Sequence, residues 1–174
     1  MFNSIQQFET AGIKNLRKAE DEFIRTRDMA NFINAIKEVV LHLGLDVIAE
    51  TLENYDAAIR KSPKRSEKWS VVRKDPKQLV TSLGTVQYRK TLFINKTTKE
   101  RSHLLDRELG LEKHQRITED AEAQLLTEAV QTTYRKGGEA VSILDDVSKE
   151  TVMDKIRTID FTKVHKAPET LREI

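Results

Sequence analysis

One apolar stripe constrains this chain more than any other feature. Met29, Phe32, Ile33, Ile36, Val40, Leu43, Val47, Leu52, Tyr55 and Ile59 recur at helical spacing until Pro63 closes the run. A residue before proline is pushed away from the α region, so the pattern predicts one long helix ending just short of that point. At 1.5 Å per residue it can reach about 48 Å. A helix of that length with a continuous apolar face needs something to pack against. Asp28 is placed to cap its start, and Gly44 is a point where it can bend or divide. The nearest partner is the segment before it. Ile5, Phe8, Gly12, Leu16, Ala19 and Phe23 form a second helical face through about Arg25, and Ser4-Ile5-Gln6-Gln7 fits a capping box. An antiparallel hairpin over residues 1–61 follows, with pairing between two chains through the same helices as a further expectation.

The next stretch differs in charge. Residues 1–59 hold six basic and ten acidic side chains, a net −4. Residues 60–116 carry sixteen against six, a net +10, and residues 117–174 carry eight against twelve, again −4. A basic centre between acidic flanks suggests a polyanion partner. Within "RKSPKRSEKWSVVRKDPKQ" stand Arg60, Lys61, Lys64, Arg65, Lys68, Arg73, Lys74 and Lys77, opposed only by Glu67 and Asp75, with Trp69 in the middle. Such cations neutralise phosphates and release counterions without choosing a sequence. The same run also serves as plain solvated surface, and Trp69 either stacks on a base or anchors a loop.

After this run the period changes. "LVTSLGTVQYRKTLFINKTTKERSHLLD" is rich in Val, Thr, Tyr, Phe and Ile, and Val86, Tyr88 and Lys90 alternate with Gln87, Arg89 and Thr91. This predicts two or three antiparallel strands, turning near Leu83-Gly84 and near Lys96-Thr97-Thr98-Lys99, within a unit spanning 62–116. "RELGLEKHQR" leads out as a short helix and loop. A further helix begins at Thr118-Glu119-Asp120, burying Ala121, Leu125, Leu126, Ala129 and Val130. Gly137-Gly138 argues against a long helix there, and Ser148 can cap a last helix whose Val152, Ile156 and Ile159 face inward.

Residues 117–160 read either as a helical unit containing a helix-turn-helix or as a plain helical corner. In the first reading Lys149, Glu150, Met153, Asp154 and Arg157 face base edges, and Tyr134, Arg135 and Lys136 hold backbone phosphates. The region's net −4 counts against it. Residues 161–174 form a tail of low apolar content.

Enzymatic signals are weak. Asp145-Asp146 is an acidic pair before a helix cap, as the helix dipole favours. His103 near Asp106 is a candidate dyad, though such a histidine is far more often structural. No phosphate-cradling glycine loop or nucleophile elbow is present. The chain has no Cys, and its four His are scattered, which removes disulfides, thiol catalysis and cysteine zinc fingers. No apolar run approaches the length of a membrane span, and the N-terminus lacks the marks of a signal peptide, so the expected location is cytoplasmic.

Several blocks, in order, carry a resemblance: "MFNSIQQFETAGIKNL", "RKSPKR…W…VRKD", "SLGTVQYRKTLF", "HLLDRELGL", "RITEDAEAQLL", "EAVQTTYRKGGEAVS" and "VSKETVMDKI". Together, over about residues 1–159, they resemble the N-terminal part of the ISLre-family insertion-sequence transposases. The resemblance implies a helical N-terminus, a β-hairpin region and a helix-turn-helix that recognises the element's double-stranded DNA. It also implies a following ribonuclease-H-like domain whose acids hold two Mg²⁺ ions for phosphodiester transfer. That domain is expected to lie beyond Ile174. The chain by itself is then no enzyme and takes no cofactor or small-molecule substrate, and none of its own acids inherits a catalytic role. The expected fold is mostly helical α+β: a long helical hairpin, a small antiparallel sheet and a C-terminal helix-turn-helix unit. The competing reading is a helical oligomerisation module without DNA specificity.

Overall fold

A computed structural model describes residues 3–158. The fold is α+β, mostly helical, with one three-stranded antiparallel sheet. In chain order it runs α1 (Asn3–Gln7), a π-helical turn (Phe8–Gly12), α2 (Ile13–Thr26), α3 (Met29–Lys61), α4 (Pro63–Lys68), β1 (Trp69–Val80), β2 (Thr85–Asn95) and β3 (Arg101–His103). Then follow α5 (Leu104–Glu108), α6 (Glu119–Gln131), α7 (Tyr134–Glu139) and α8 (Lys149–Thr158). Among the described residues no helix is long and apolar enough to cross a membrane.

The first three helical pieces are one continuous rod. Its π turn absorbs an extra residue, and Gly12 sits directly under the Phe8 ring, where a Cβ would lie 2.2 Å from Phe8 Cδ2. Ser4 does not cap the rod as the capping box predicts. It lies inside α1, and its amide and that of Asn3 donate to the Glu50 carboxylate at 2.7 Å each. A partner helix thus closes this N-terminus.

Arg27, in the left-handed region at φ 59°, turns the chain, and Asp28 caps α3 by accepting from the Asn31 amide at 3.0 Å. Contrary to the idea of a break at Gly44, α3 runs through it unbroken from Met29 to Lys61. Ser62 leaves the helical region, and Pro63 takes the first position of α4, where a missing N–H costs nothing.

The strands turn at both expected places, but β1 starts at Trp69, ten residues earlier than the β-rich stretch suggests. The basic run therefore contains most of a strand. Its register opposes Lys77 to Tyr88 and Leu79 to Val86, with an irregularity between Val71 and Arg73. β1 lies at the sheet edge, which explains how Pro76 is tolerated. At its end, Val80 forms a parallel bridge with Ile117.

β2 pairs with β1 on one side and with the short β3 only at residues 92–94. The rest of its other edge is covered by carboxylates. Glu53 accepts from the Arg89 amide at 2.8 Å, Asp56 from the Thr91 amide at 2.8 Å and its hydroxyl at 2.5 Å, and Asp145 from the Thr85 amide at 2.5 Å. These acids satisfy donors that an open edge would offer to another chain.

Two apolar clusters result. Leu79, Val86, Tyr88 and Leu105 pack with Leu45, Ile48, Leu52 and Ile59 of α3. Ile117, Ala121, Leu125, Ala129, Val141 and Val152 form the C-terminal cluster. Val130, expected inside, is 74% exposed, because the face of α6 is set by 121, 125 and 129. Gly137 lets α7 cross α6 closely: a Cβ there would meet Ala129 Cβ at 2.6 Å and the Leu125 carbonyl at 2.8 Å. Ser148 caps α8 through the Thr151 amide at 3.3 Å, as expected, and Val152 faces in. Ile159 and the tail at 161–174 lie outside the described residues.

Candidate nucleic-acid interface

The basic run divides into side chains spent on the fold and side chains left in water. Arg65 belongs to the first group. Its guanidinium donates to the Trp69 carbonyl at 3.0 Å and to the Arg60 carbonyl, and it lies 5.5 Å over the Phe93 ring. It ties α3, α4 and β1 together. Trp69 is half-buried, with Arg107 6.0 Å over its ring, so this aromatic anchors the start of the strand. Lys77 is half-buried and donates to the Gln115 carbonyl. Burial, aided by the charge of Lys90, lowers its pKa. Arg73 pairs with Asp75 at 2.6 Å. Lys61, Lys64, Lys68 and Lys74 are exposed, and Arg60 is partly so.

The remaining cations of the sheet separate by face. Val86, Tyr88 and Lys90 point inward, as their alternation suggests. Lys90 is buried and paired with Asp106. Burial, with the Asp106 charge beside it, pushes the Tyr88 phenol up to about 12, so it stays protonated. The candidate His103–Asp106 dyad does not form. Asp106 is held by Lys90, and His103 turns to Asp75 at 3.1 Å. Hydrogen bonds from Arg73 and then His103 hold the Asp75 carboxyl below its usual range, against the opposing effect of burial.

The outward face, with Pro76, Gln78, Gln87 and Arg89, walls a groove of about 800 Å³. His114 and Arg116 from the loop before α6, and Val147 and Thr151 at the start of α8, close it. Arg89 and Arg116 escaped the sequence reading as interface residues. Arg89 was legible as the outward member of an alternating pair. Arg116 carried no signal, because only the Val80–Ile117 bridge brings its loop to the sheet.

The C-terminal unit presents its residues less favourably for an anion. Tyr134, Arg135 and Lys136 are exposed on the first turn of α7, which Thr133 caps, but Arg135 pairs with Glu139 at 3.1 Å. On α8, Lys149 lies 3.7 Å from Glu150, and Arg157 lies 4.0 Å from Asp154. Met153 is half-buried, and Lys155 docks the helix on α6 through Glu122 at 2.8 Å. The exposed face of α8 is thus close to neutral.

Residues 140–148 join α7 to α8, a longer link than the three or four residues of a compact helix-turn-helix. The link is fastened to the sheet. The Ile143 amide donates to the Ser82 carbonyl at 3.0 Å, and the Asp145 carboxylate is taken by Thr85. Asp145 is therefore a sheet-edge ligand, not half of a helix-capping pair. Among the described residues no group of three or more His, Cys, Asp or Glu could hold a metal ion.

The fold thus brings Arg89, Arg116 and the first turn of α8 together, and sets Lys61, Lys64 and Lys68 at the far end of β1. The two ends of that strand, at Trp69 and Val80, are about 36 Å apart at about 3.3 Å per residue.

One relative, from Caldanaerobacter subterraneus subsp. tengcongensis, is 30% identical over 155 residues, covering 89% of this chain and 33% of its own length. Its designation, a UPF0236 protein, spans eleven numbered loci of that organism. Two more UPF0236 proteins from the same organism are each 29% identical over 147 residues, with 84% of this chain covered. One designation has a single locus and the other four. The chain spans about a third of the length of the curated relatives it matches. No solved structure matches it. The family UPF0236, an uncharacterised protein family, matches residues 25–174, and the chain belongs to it.

Proposed function

We propose that this chain is the DNA-binding N-terminal part of an insertion-element transposase, acting on double-stranded DNA in the bacterial cytoplasm. The observation that carries the reading is the set of exposed cations spread from the end of α3 along β1 to the groove beside α8. Lys61, Lys64 and Lys68 stand before the start of β1, Lys74 lies along it, and Arg116 stands at its Val80 end, with Arg89 opposite Pro76 on β2 and lining with Arg116 the groove beside α8. The strand between them is about one duplex turn long, since successive turns repeat every ~34–36 Å. Cations at that spacing can meet phosphates on one face of a duplex. α8 then lies where the first turn of a recognition helix would enter the major groove, with Lys149, Glu150, Met153, Asp154 and Arg157 nearest the bases. Support of another kind comes from the relative whose one designation spans eleven loci of one organism, the copy pattern of a mobile sequence. The helix-turn-helix reading of α7 and α8 belongs to this proposal. So does assignment of the Mg²⁺-dependent strand-transfer chemistry to the remaining length of the relatives.

The phosphate set is narrower than the basic run. Arg65, Trp69 and Lys77 are engaged within the fold, and the open cations carry the affinity. The test is a mobility shift on element-end and random duplexes from about 50 to about 200 mM salt. Each lost phosphate contact lowers the salt slope by about 0.9, so Lys61→Ala/Lys64→Ala/Lys68→Ala together reduce it by about 2.7 on every sequence. Lys149→Ala/Arg157→Ala instead reduces discrimination for element ends. A chain that binds neither duplex at low salt, or a triple variant with an unchanged slope, overturns the reading.

A further inference from the structure

Among the described residues, the N-terminal hairpin leaves one broad face without a partner. The side chains of α3 that join the cluster with the sheet and α5 begin at Leu45; before Gly44 the helix packs along the α1–α2 rod, and Glu38 and His42 line a groove shared with Thr85, Leu144 and Asp145. No residue of α2 is buried, and in α3 only Asp56 is. The hairpin has two sides. One holds a groove of about 640 Å³, where Phe8, Phe23, Phe32 and Leu43 are joined by Asn15, Lys18 and Glu22 from α2 and Asn31, Glu38 and His42 from α3. At about 100° per residue, the opposite side collects Ile13, Leu16 and Ile24 from α2 with Met29, Ile33 and Val40 from α3. Five of these six are well exposed: Ile13 at 39%, Ile24 at 54%, Met29 at 54%, Ile33 at 45% and Val40 at 51%. Single exposed apolar side chains are ordinary, but five of them on one side of two adjacent helices mark an interaction surface.

We propose that this face is a homodimer interface, on which the hairpins of two copies pack as a four-helix bundle. Its dimensions favour a second copy. The rod from Asn3 to Thr26 is about 36 Å long, and two helices side by side are about 20 Å wide, giving roughly 700 Å². A standard interface buries about 800 Å² from each partner, so an equal hairpin covers the face and reaches that size without further elements. Charge favours it too. Arg17 and Glu20 project from the exposed flank of this side of α2, and neither is in an ion pair among the described residues. A two-fold axis sets each residue against the other's neighbourhood, so one charge of each sign is self-complementary. The proposal is independent of DNA binding. If both hold, the dimer carries two DNA-binding edges.

The experiment is sedimentation of the whole chain at about 100 µM, a concentration that populates dimers of micromolar affinity. The expected mass is twice the monomer's 20.0 kDa. Ile33→Glu/Val40→Glu weakens association roughly 100-fold or more, with the helical circular dichroism retained. Asn31→Glu, on the grooved side, leaves it unchanged. Because the chain has no cysteine, Val40→Cys and His42→Cys each give a single reactive thiol. A short bismaleimide is expected to join copies of the Val40→Cys variant and not of the His42→Cys variant, a readout that survives even if the glutamate variant misfolds. A monomeric wild-type chain, or preferential cross-linking through position 42, overturns the proposal.

Discussion

The two halves of α3 meet different surroundings. From Leu45 to Ile59 the helix lies on the sheet and α5, and its side chains join a cluster with Leu79, Val86, Tyr88 and Leu105. From Met29 to Leu43 it meets one other helix, and large apolar residues stay half open. The sequence pattern is the same along both halves. What differs is the number of layers available to cover it. Two helices make one contact face each and leave the rest of the stripe in water, whereas the half of α3 on the sheet packs its partly buried apolar side chains against a buried cluster. Apolar periodicity therefore foretells a helix, but not whether its face is covered within the same chain.

The largest expected consequence concerns stability. Leu105 and Leu125 are fully buried, one in each cluster of the body. Leu105→Ala and Leu125→Ala should each cost about 2–5 kcal/mol in urea unfolding, through lost transfer energy and the cavity left behind. Ile33→Ala in the arm, measured at concentrations where the chain is monomeric, should cost under about 0.5 kcal/mol. Equal losses in arm and body would break the contrast.

A smaller effect tests how the body grips its half of α3. Asp56 is 1% exposed and holds both the amide and the hydroxyl of Thr91. Asp56→Ala strands buried donors, at about 1–3 kcal/mol. Glu53→Ala removes a bond from the Arg89 amide at a more open place and should cost less. If the two variants unfold at the same denaturant midpoint, burial is not what makes Asp56 matter.

How much of this could be read beforehand follows the range of the interactions involved. Local chemistry was legible. Asp28 caps α3, Pro63 ends it, Ser148 caps α8, and the turns fall near Gly84 and Lys96–Lys99. β1 was hidden because it is an edge strand that carries Arg73, Lys74, Asp75 and Lys77 across both faces, so its pattern reads as a basic run. Asp56, Glu53 and Asp145 look like ordinary surface acids until the sheet edge they serve is known. Arg65 and Trp69 looked like nucleic-acid contacts, yet Phe93, Arg107 and backbone carbonyls claim them, and those partners lie too far along the chain to infer. In the candidate site, the exposed lysines were legible from density alone. Arg116 was not, because its place depends on a single bridge between Val80 and Ile117.

The smallest effect lies in the arm, where Glu50 does on an open surface what Asp56 does in the interior. The Ser4 amide, with that of Asn3, holds the Glu50 carboxyl below its ordinary 4.5. A carboxyl whose pKa is lower folded than unfolded contributes stability that is complete above the unfolded value and disappears as pH falls through the folded one. Acid should therefore loosen α1 from α3, with Asn3 and Ser4 losing amide-exchange protection between about pH 5 and pH 3, while Thr91 stays protected. Glu50→Gln keeps the shape and removes the charge, so protection at Asn3 and Ser4 should be lower at neutral pH and flat across that window. If the wild-type amides are equally protected at both ends of the window, the carboxylate does not hold the arm. If Thr91 is lost together with them, arm and body unfold as one unit, and the division of α3 into a covered and an uncovered half has no energetic counterpart.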